Sequence, residues 1–154
     1  MGLDMNLNKK TYVLNWEHTS SEERFDINIT KGGKEFNAID TTKVVYIEEE
    51  VMYWRKANAI HKFFVDNCQD GQDDCRQYYV HNNFLIELLD YINDILNDHS
   101  KAKDLLPAQG GFFFGNTEYD EWYFDALKAT KEMLEKEMAS PSWGRCSYYY
   151  QSDW

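Results

Sequence analysis

The apolar residues of this chain change their period partway along it. Over residues 25–30 (FDINIT), Phe25, Ile27 and Ile29 alternate with Asp26, Asn28 and Thr30, the pattern of a strand with one buried face. Over residues 83–97 (NFLIELLDYINDILN), Leu85, Leu88, Leu89, Ile92, Ile95 and Leu96 recur every three or four positions, the stripe of a helix lying on a core. The two patterns are segregated rather than interleaved. β-branched and aromatic residues mark further strands at 11–16 and 44–51, although the acidic run of the second could also begin a helix. Two glycines make 31–34 (KGGK) a hairpin turn. Helices are expected at about 53–67, 83–97 and 118–139, the second capped by Asn82 or Asn83 and the third stopped by Ser140-Pro141. Short strands are expected at 76–80 and 146–151, with polar connectors at 17–24 and 98–110. Strands, then helices, then a returning strand specify an α+β fold: an antiparallel sheet, made of the N-terminal strands and the C-terminal strand, packed by about three helices. The 154 residues suit a single domain, and no internal repeat is present.

Charge narrows the function. The net charge is −11, and it is uneven: residues 1–60 hold 8 basic against 10 acidic side chains, residues 61–154 hold 8 against 17. Sequence-independent binding of a phosphate backbone needs the opposite sign, which argues against direct nucleic-acid binding. An acidic surface suits solubility, a basic protein partner, or mimicry of nucleic acid. Three cysteines without a CxxC fit reduced thiols, and with no signal-peptide pattern and no apolar run near ~18 residues the expected location is cytoplasmic, without membrane contact.

Motifs for chemistry are few. The turn DNCQDGQDDC places Asp66, Asp70 and Gly71 where a calcium loop wants them, but Cys68 and Gln77 stand where oxygen ligands are needed. A solvated acidic turn is the simpler reading, and Asp73 or Asp74 has Arg55 or a lysine as a candidate ion-pair partner. Zinc-site, P-loop, nucleophile-elbow and deaminase patterns are all missing, so no metal or cofactor is implied and a non-enzymatic role is preferred. What stands out is YWRKANAIH. On a helix over 53–67, Trp54, Ala57, Ile60, Phe64 and Val65 share an apolar arc with His61 inside it, Asn58 at its edge, and Arg55 and Lys62 beyond. A hydrogen-bonded core role is the plainer explanation of His61. The alternative is a binding site in which Arg55, Lys56, Asn58 and His61 supply donors, while Phe113, Tyr119, Tyr123, and also Trp122, supply ring faces. Guanidinium forks onto phosphate and aromatic rings stack on bases, so the set suits a small, anionic, ring-bearing ligand such as a nucleotide. Ordinary packing with surface Arg and Lys accounts for the same residues. The adjacent carboxylates Asp120 and Glu121 lie at a helix start, where they complement the helix dipole.

Four segments in order, MGLDM, YWRKANAIHKFFVDNCQDGQDDC, LLPAQGGFFFGNTEYDEWY and the closing YYYQSDW, resemble a family of small proteins of unknown function found in bacteriophages, prophages and bacterial genomes. In that family Tyr usually stands at Asn6, Gly at Met52 and Trp at Phe63, and a longer insert replaces residues 97–103. The resemblance implies a protein of the bacterial host cytoplasm that acts on host antiviral defence. Three roles follow from that implication. It binds and sequesters a nucleotide-like signal, it mimics nucleic acid to inhibit a host defence protein such as a CRISPR effector, or it cleaves a nucleotide with His61 as acid/base and Asp73 or Asp120 assisting. The expected partner is thus a small nucleotide-like ligand or a host defence protein, and self-association into a homo-oligomer is left open.

Overall fold

A computed structural model describes residues 2–154. Its central feature is a four-stranded antiparallel sheet in the order β4-β1-β6-β5, from β1 (Asp4–Tyr12), β4 (Tyr46–Arg55), β5 (Tyr78–Val80) and β6 (Ser147–Asp153). β1 is central because its first half alternates cleanly. Met5, Leu7 and Lys9 turn inward, while Asn6, Asn8 and Lys10 face the other side, where the sheet remains open. β6 matches it in register, with Ser152 opposite Met5, Tyr150 opposite Leu7 and Tyr148 opposite Lys9, all buried. The covered face carries α1 (Asn58–Cys68), α2 (Asn82–Asn97), the single-turn α3 (Ala102–Leu105) and α4 (Glu121–Ala139). Together they bury one cluster that includes Leu7, Trp54, Phe64, Leu88, Ile92, Leu134 and Tyr150. The α+β architecture thus stands, with the C-terminal strand inside the sheet.

Several local expectations are corrected. β1 begins at Asp4, not near residue 11, because the alternation starts there. The alternating FDINIT does not become a core strand. Asn15 occupies both backbone groups of Phe25, its amide donating to Phe25 O at 2.7 Å and its Oδ1 accepting from Phe25 N at 2.9 Å. Only β2 (Thr30–Lys31) and β3 (Lys34–Glu35) pair in this excursion, joined by Gly32 and Gly33 at φ +61° and +79°. α2 is capped by His81, whose Nδ1 accepts from Asn83 N, rather than by Asn82 or Asn83. α4 starts three residues later than its periodicity suggests, because the Asp120 carboxylate caps it through Tyr123 N at 3.1 Å.

The largest revision falls on 53–67. Tyr53, Trp54 and Arg55 are the last residues of β4, paired with Asn6, Met5 and Asp4. Pairing with β1 overrides a helical period that those residues also satisfy. The chain then corners abruptly. Lys56 adopts φ +55°, its N–H donating to Leu3 O at 2.7 Å, and Ala57 (φ −81°, ψ 68°) centres an inverse γ-turn closed by Asn58 N to Lys56 O at 2.9 Å. α1 starts immediately afterwards.

One polar interaction crosses the core edge. Lys9 and Glu137, both over nine-tenths buried, pair at 3.1 Å, and Tyr148 donates to the same carboxylate oxygen at 2.9 Å. Removing one partner strands a buried charge. Glu137→Ala is expected to lower the unfolding free energy by about 3–5 kcal/mol, whereas Lys9→Met with Glu137→Leu should stay within about 1–2 kcal/mol of the parent. Urea denaturation of the three proteins checks this, and equal losses in both variants would contradict it.

Candidate functional site

A cleft of about 580 Å³ opens where the β4–α1 corner faces the start of α4. One wall is Arg55, Lys56 and the first turn of α1. The other is Gly115, Asn116, Glu118, Asp120, Trp122, Tyr123 and Asp125. Its geometry comes from the corner. A helix continuing through 53–57 would spread Arg55 and Lys56 around a cylinder. As built, the strand end and the left-handed Lys56 set both cations at the cleft. Gly115 lies against the Lys56 stem at φ +83°, a conformation strained for any side chain, and a Cβ there would crowd Lys56 Cβ at 3.3 Å. Among the described residues neither Arg55 nor Lys56 forms an ion pair, although three carboxylates line the facing wall.

α1 adds a third positive element. Ala57 precedes it with no side-chain cap, so the amides of Ala59 and Ile60 have no intrahelical acceptor, and both residues line the cleft. A helix start with free N–H groups beside two unpaired cations is an arrangement that favours an anion. The aromatic contribution comes from Trp122, 79 % exposed on the rim, and from Tyr123, whose hydroxyl donates to Leu106 O at 2.7 Å. Burial pushes the Tyr123 phenol well above its usual value, so it stays neutral and acts as a ring face.

The candidate residues therefore separate. Arg55, Lys56 and Tyr123 line the cleft with side chains that can reach a ligand. Asn58 also borders it, but its amide is fully engaged. Nδ2 donates to Phe114 O (3.0 Å) and Asn116 O (2.9 Å), and Oδ1 accepts from Gln109 N (2.9 Å), so Asn58 ties the 109–116 loop to α1. Phe113 sits outside the lining, its carbonyl accepting from Leu3 N and its ring edge-on to Phe112. Tyr119 also sits outside, its hydroxyl accepting from Ala108 N at 3.1 Å while its ring packs edge-on to Tyr123. Glu118, Asp125 and the α1 amides were missed in the sequence because both helix starts were set too early.

His61 belongs to a different place. It is fully buried, with Nδ1 2.7 Å from the Tyr150 hydroxyl and Nε2 3.0 Å from Asp73, which also accepts from the Trp154 indole. Tyr150 donates to Nδ1 and Nε2–H donates to Asp73, which satisfies both ring nitrogens of a neutral imidazole. Asp73 thus pairs with His61, and Asp74 with Tyr78 and Arg76, rather than with Arg55 or a lysine. Among the described residues no group of His, Cys, Asp and Glu is arranged to hold a metal. No helix there is long and apolar enough to cross a membrane. No protein family, curated protein or solved structure was found to match the chain.

Two outcomes test this geometry. Asn58→Ala leaves two carbonyls and one amide of the loop without partners. It is expected to reduce stability by about 1–3 kcal/mol and to speed amide exchange at Gln109, with unaltered exchange contradicting the tie. Burial also holds His61 below the ordinary histidine value of 6.5, against the opposing Asp73 hydrogen bond. Its contribution is complete above pH 6.5 and declines as pH falls towards the folded-state value, because the unfolded chain takes up the proton first. Stability measured from about pH 8 to pH 5 should therefore fall more steeply in the parent than in His61→Gln. Parallel curves would refute the assignment.

Proposed function

We propose that this protein binds a small anionic, ring-bearing ligand, of the nucleotide class, in the cleft between the β4–α1 corner and α4, and that it holds the ligand without transforming it. The observation that carries the reading is the pairing of Arg55 and Lys56, neither held in an ion pair among the described residues, with the uncapped start of α1. A phosphate there gains two cations and two backbone donors. Trp122 supplies an exposed ring for a base, and Glu118 and Asp125 supply acceptors for sugar hydroxyls or an exocyclic amine. Turnover is the weaker reading because His61, the natural acid/base, is buried outside the cleft and committed to Tyr150 and Asp73. The resemblance to phage and prophage proteins makes sequestration of a defence signal the biological form of this proposal.

Thermal unfolding against a panel of mono-, di- and cyclic nucleotides tests it. A ligand at 100 times its dissociation constant stabilises by about 2.7 kcal/mol. Arg55→Ala and Trp122→Ala alter exposed side chains, so each should leave the unfolding midpoint of the free protein in place. Each should weaken binding by about tenfold or more, equivalent to about 1.4 kcal/mol. A midpoint unmoved by every nucleotide, or moved equally in Arg55→Ala, would rule the cleft out. Recovery of a cleaved product would rule out simple binding.

A further inference from the structure

The other end of β4 carries a separate feature. β4 is an edge strand, and beyond Val51 it leaves the shelter of the helices: Tyr46, Ile47, Glu48, Glu49 and Glu50 are all exposed. Its inner edge pairs with β1, and no described strand pairs with its outer edge. The opposite edge strand, β5, has only three residues, so β4 presents the long unpaired ladder of this sheet.

Among the described residues none of Glu48, Glu49 and Glu50 forms an ion pair, and Glu48 accepts only from the Asn8 amide. Lys9 and Lys10 stand opposite Glu49 and Glu48 across the β1–β4 pair, but both are engaged elsewhere. Lys9 is held by Glu137, and Lys10 lies over the Tyr149 ring at 4.7 Å. Alongside, β4 and α4 enclose a second cleft of about 520 Å³, bordered by Glu49, Glu50, Val51, Glu132, Met133 and Lys136. A strand added to β4 would send alternate side chains into this space. A Lys or Arg there lays its stem on Val51 and Met133 and its head among Glu49, Glu50 and Glu132; of the two cations in the lining, Lys9 is neutralised by Glu137 and Lys136 is the one it must avoid.

We infer that the Tyr46–Glu50 edge and the β4–α4 cleft form a docking site for an extended, basic peptide segment of a partner protein, taken up by strand addition. Backbone pairing supplies affinity and the acidic cleft supplies the preference for cationic side chains. A second copy of this chain fits poorly. Antiparallel pairing of two such edges centred on Glu49 sets Glu49 against Glu49 and Glu48 against Glu50, and a register centred on Glu48 still sets Glu48 against Glu48.

The test uses the full chain and a terminally blocked synthetic peptide of alternating Lys and Val, about eight residues long. Two further peptides are compared with it, one with alternate backbone amides methylated and one with Glu in place of Lys. The Lys peptide is expected to bind in a salt-sensitive way and to slow hydrogen exchange at the amides of residues 46–50. Backbone methylation should weaken it by about tenfold or more. Glu49→Lys combined with Glu132→Lys, both at exposed positions, should weaken the Lys peptide and admit the Glu peptide. Equal affinity for the methylated peptide reduces the effect to unspecific charge attraction and overturns strand addition. Equal affinity for the Glu peptide overturns the charge assignment. Absence of binding to all three, or concentration-dependent dimerisation through β4, also overturns the proposal and leaves the glutamates as a guard against edge pairing.

Discussion

The Asn58 amide is the interaction on which the proposed site depends. A single buried side chain, placed at the first position of α1, satisfies two carbonyls and one N–H of the 109–116 loop. That loop has almost no regular structure of its own, so its backbone groups need such partners to lie against the core. The tie brings Gly115 against the Lys56 stem and sets the start of α4 across from the β4–α1 corner. Without it there would be cations at a strand end and aromatics on a helix, but no shared cleft. Asn58 therefore shapes the cleft, and its amide is already engaged by the loop.

The corner itself stores strain. Lys56 holds a left-handed conformation that a side-chain-bearing residue adopts only at a cost of about 1–3 kcal/mol, and the surrounding hydrogen bonds, Lys56 N to Leu3 O and Asn58 N to Lys56 O, enforce it. A glycine would relieve the strain but would remove the ammonium from the cleft. β4 then borders both clefts. Its last residue, Arg55, and the following Lys56 line the first, and its N-terminal half has an acidic edge beside the second. The segregation of opposite charges, Glu48–Glu50 within β4 and Arg55-Lys56 at and just past its end, keeps the two proposed ligand classes apart.

Fold class was legible because it depends on long periodic segments. The α2 stripe, the terminal aromatic strand and the KGGK turn all appear where the pattern puts them, within a few residues. Boundaries were less legible, for a physical reason. Trp54, Ala57 and Ile60 satisfy a helical period, yet the first of them pairs across to Met5 in a sheet whose partner strand lies some fifty residues away. Nothing local signals that pairing. The cleft inherited the error: Arg55, Lys56 and Tyr123 were found by chemistry, while the α1 amides depend on a boundary set by the sheet, and Glu118 and Asp125 on one set by the Asp120 cap. His61 was readable as a core histidine from its place on the apolar arc, but its partners Tyr150 and Asp73 were not, because one lies in a strand at the far end of the chain.

In the proposed site the β4–α1 corner, the α1 start and Trp122 act on one ligand together. Nuclear magnetic resonance of the isotope-labelled protein, titrated with ADP, addresses it most directly. Saturable shifts are expected, confined to the Arg55 guanidinium, the Ala59 and Ile60 amides and the Trp122 indole, all fitting a single dissociation constant. Shifts that do not saturate, that fit different constants at the corner and at Trp122, or that fall on His61 and the 69–74 turn instead would contradict it.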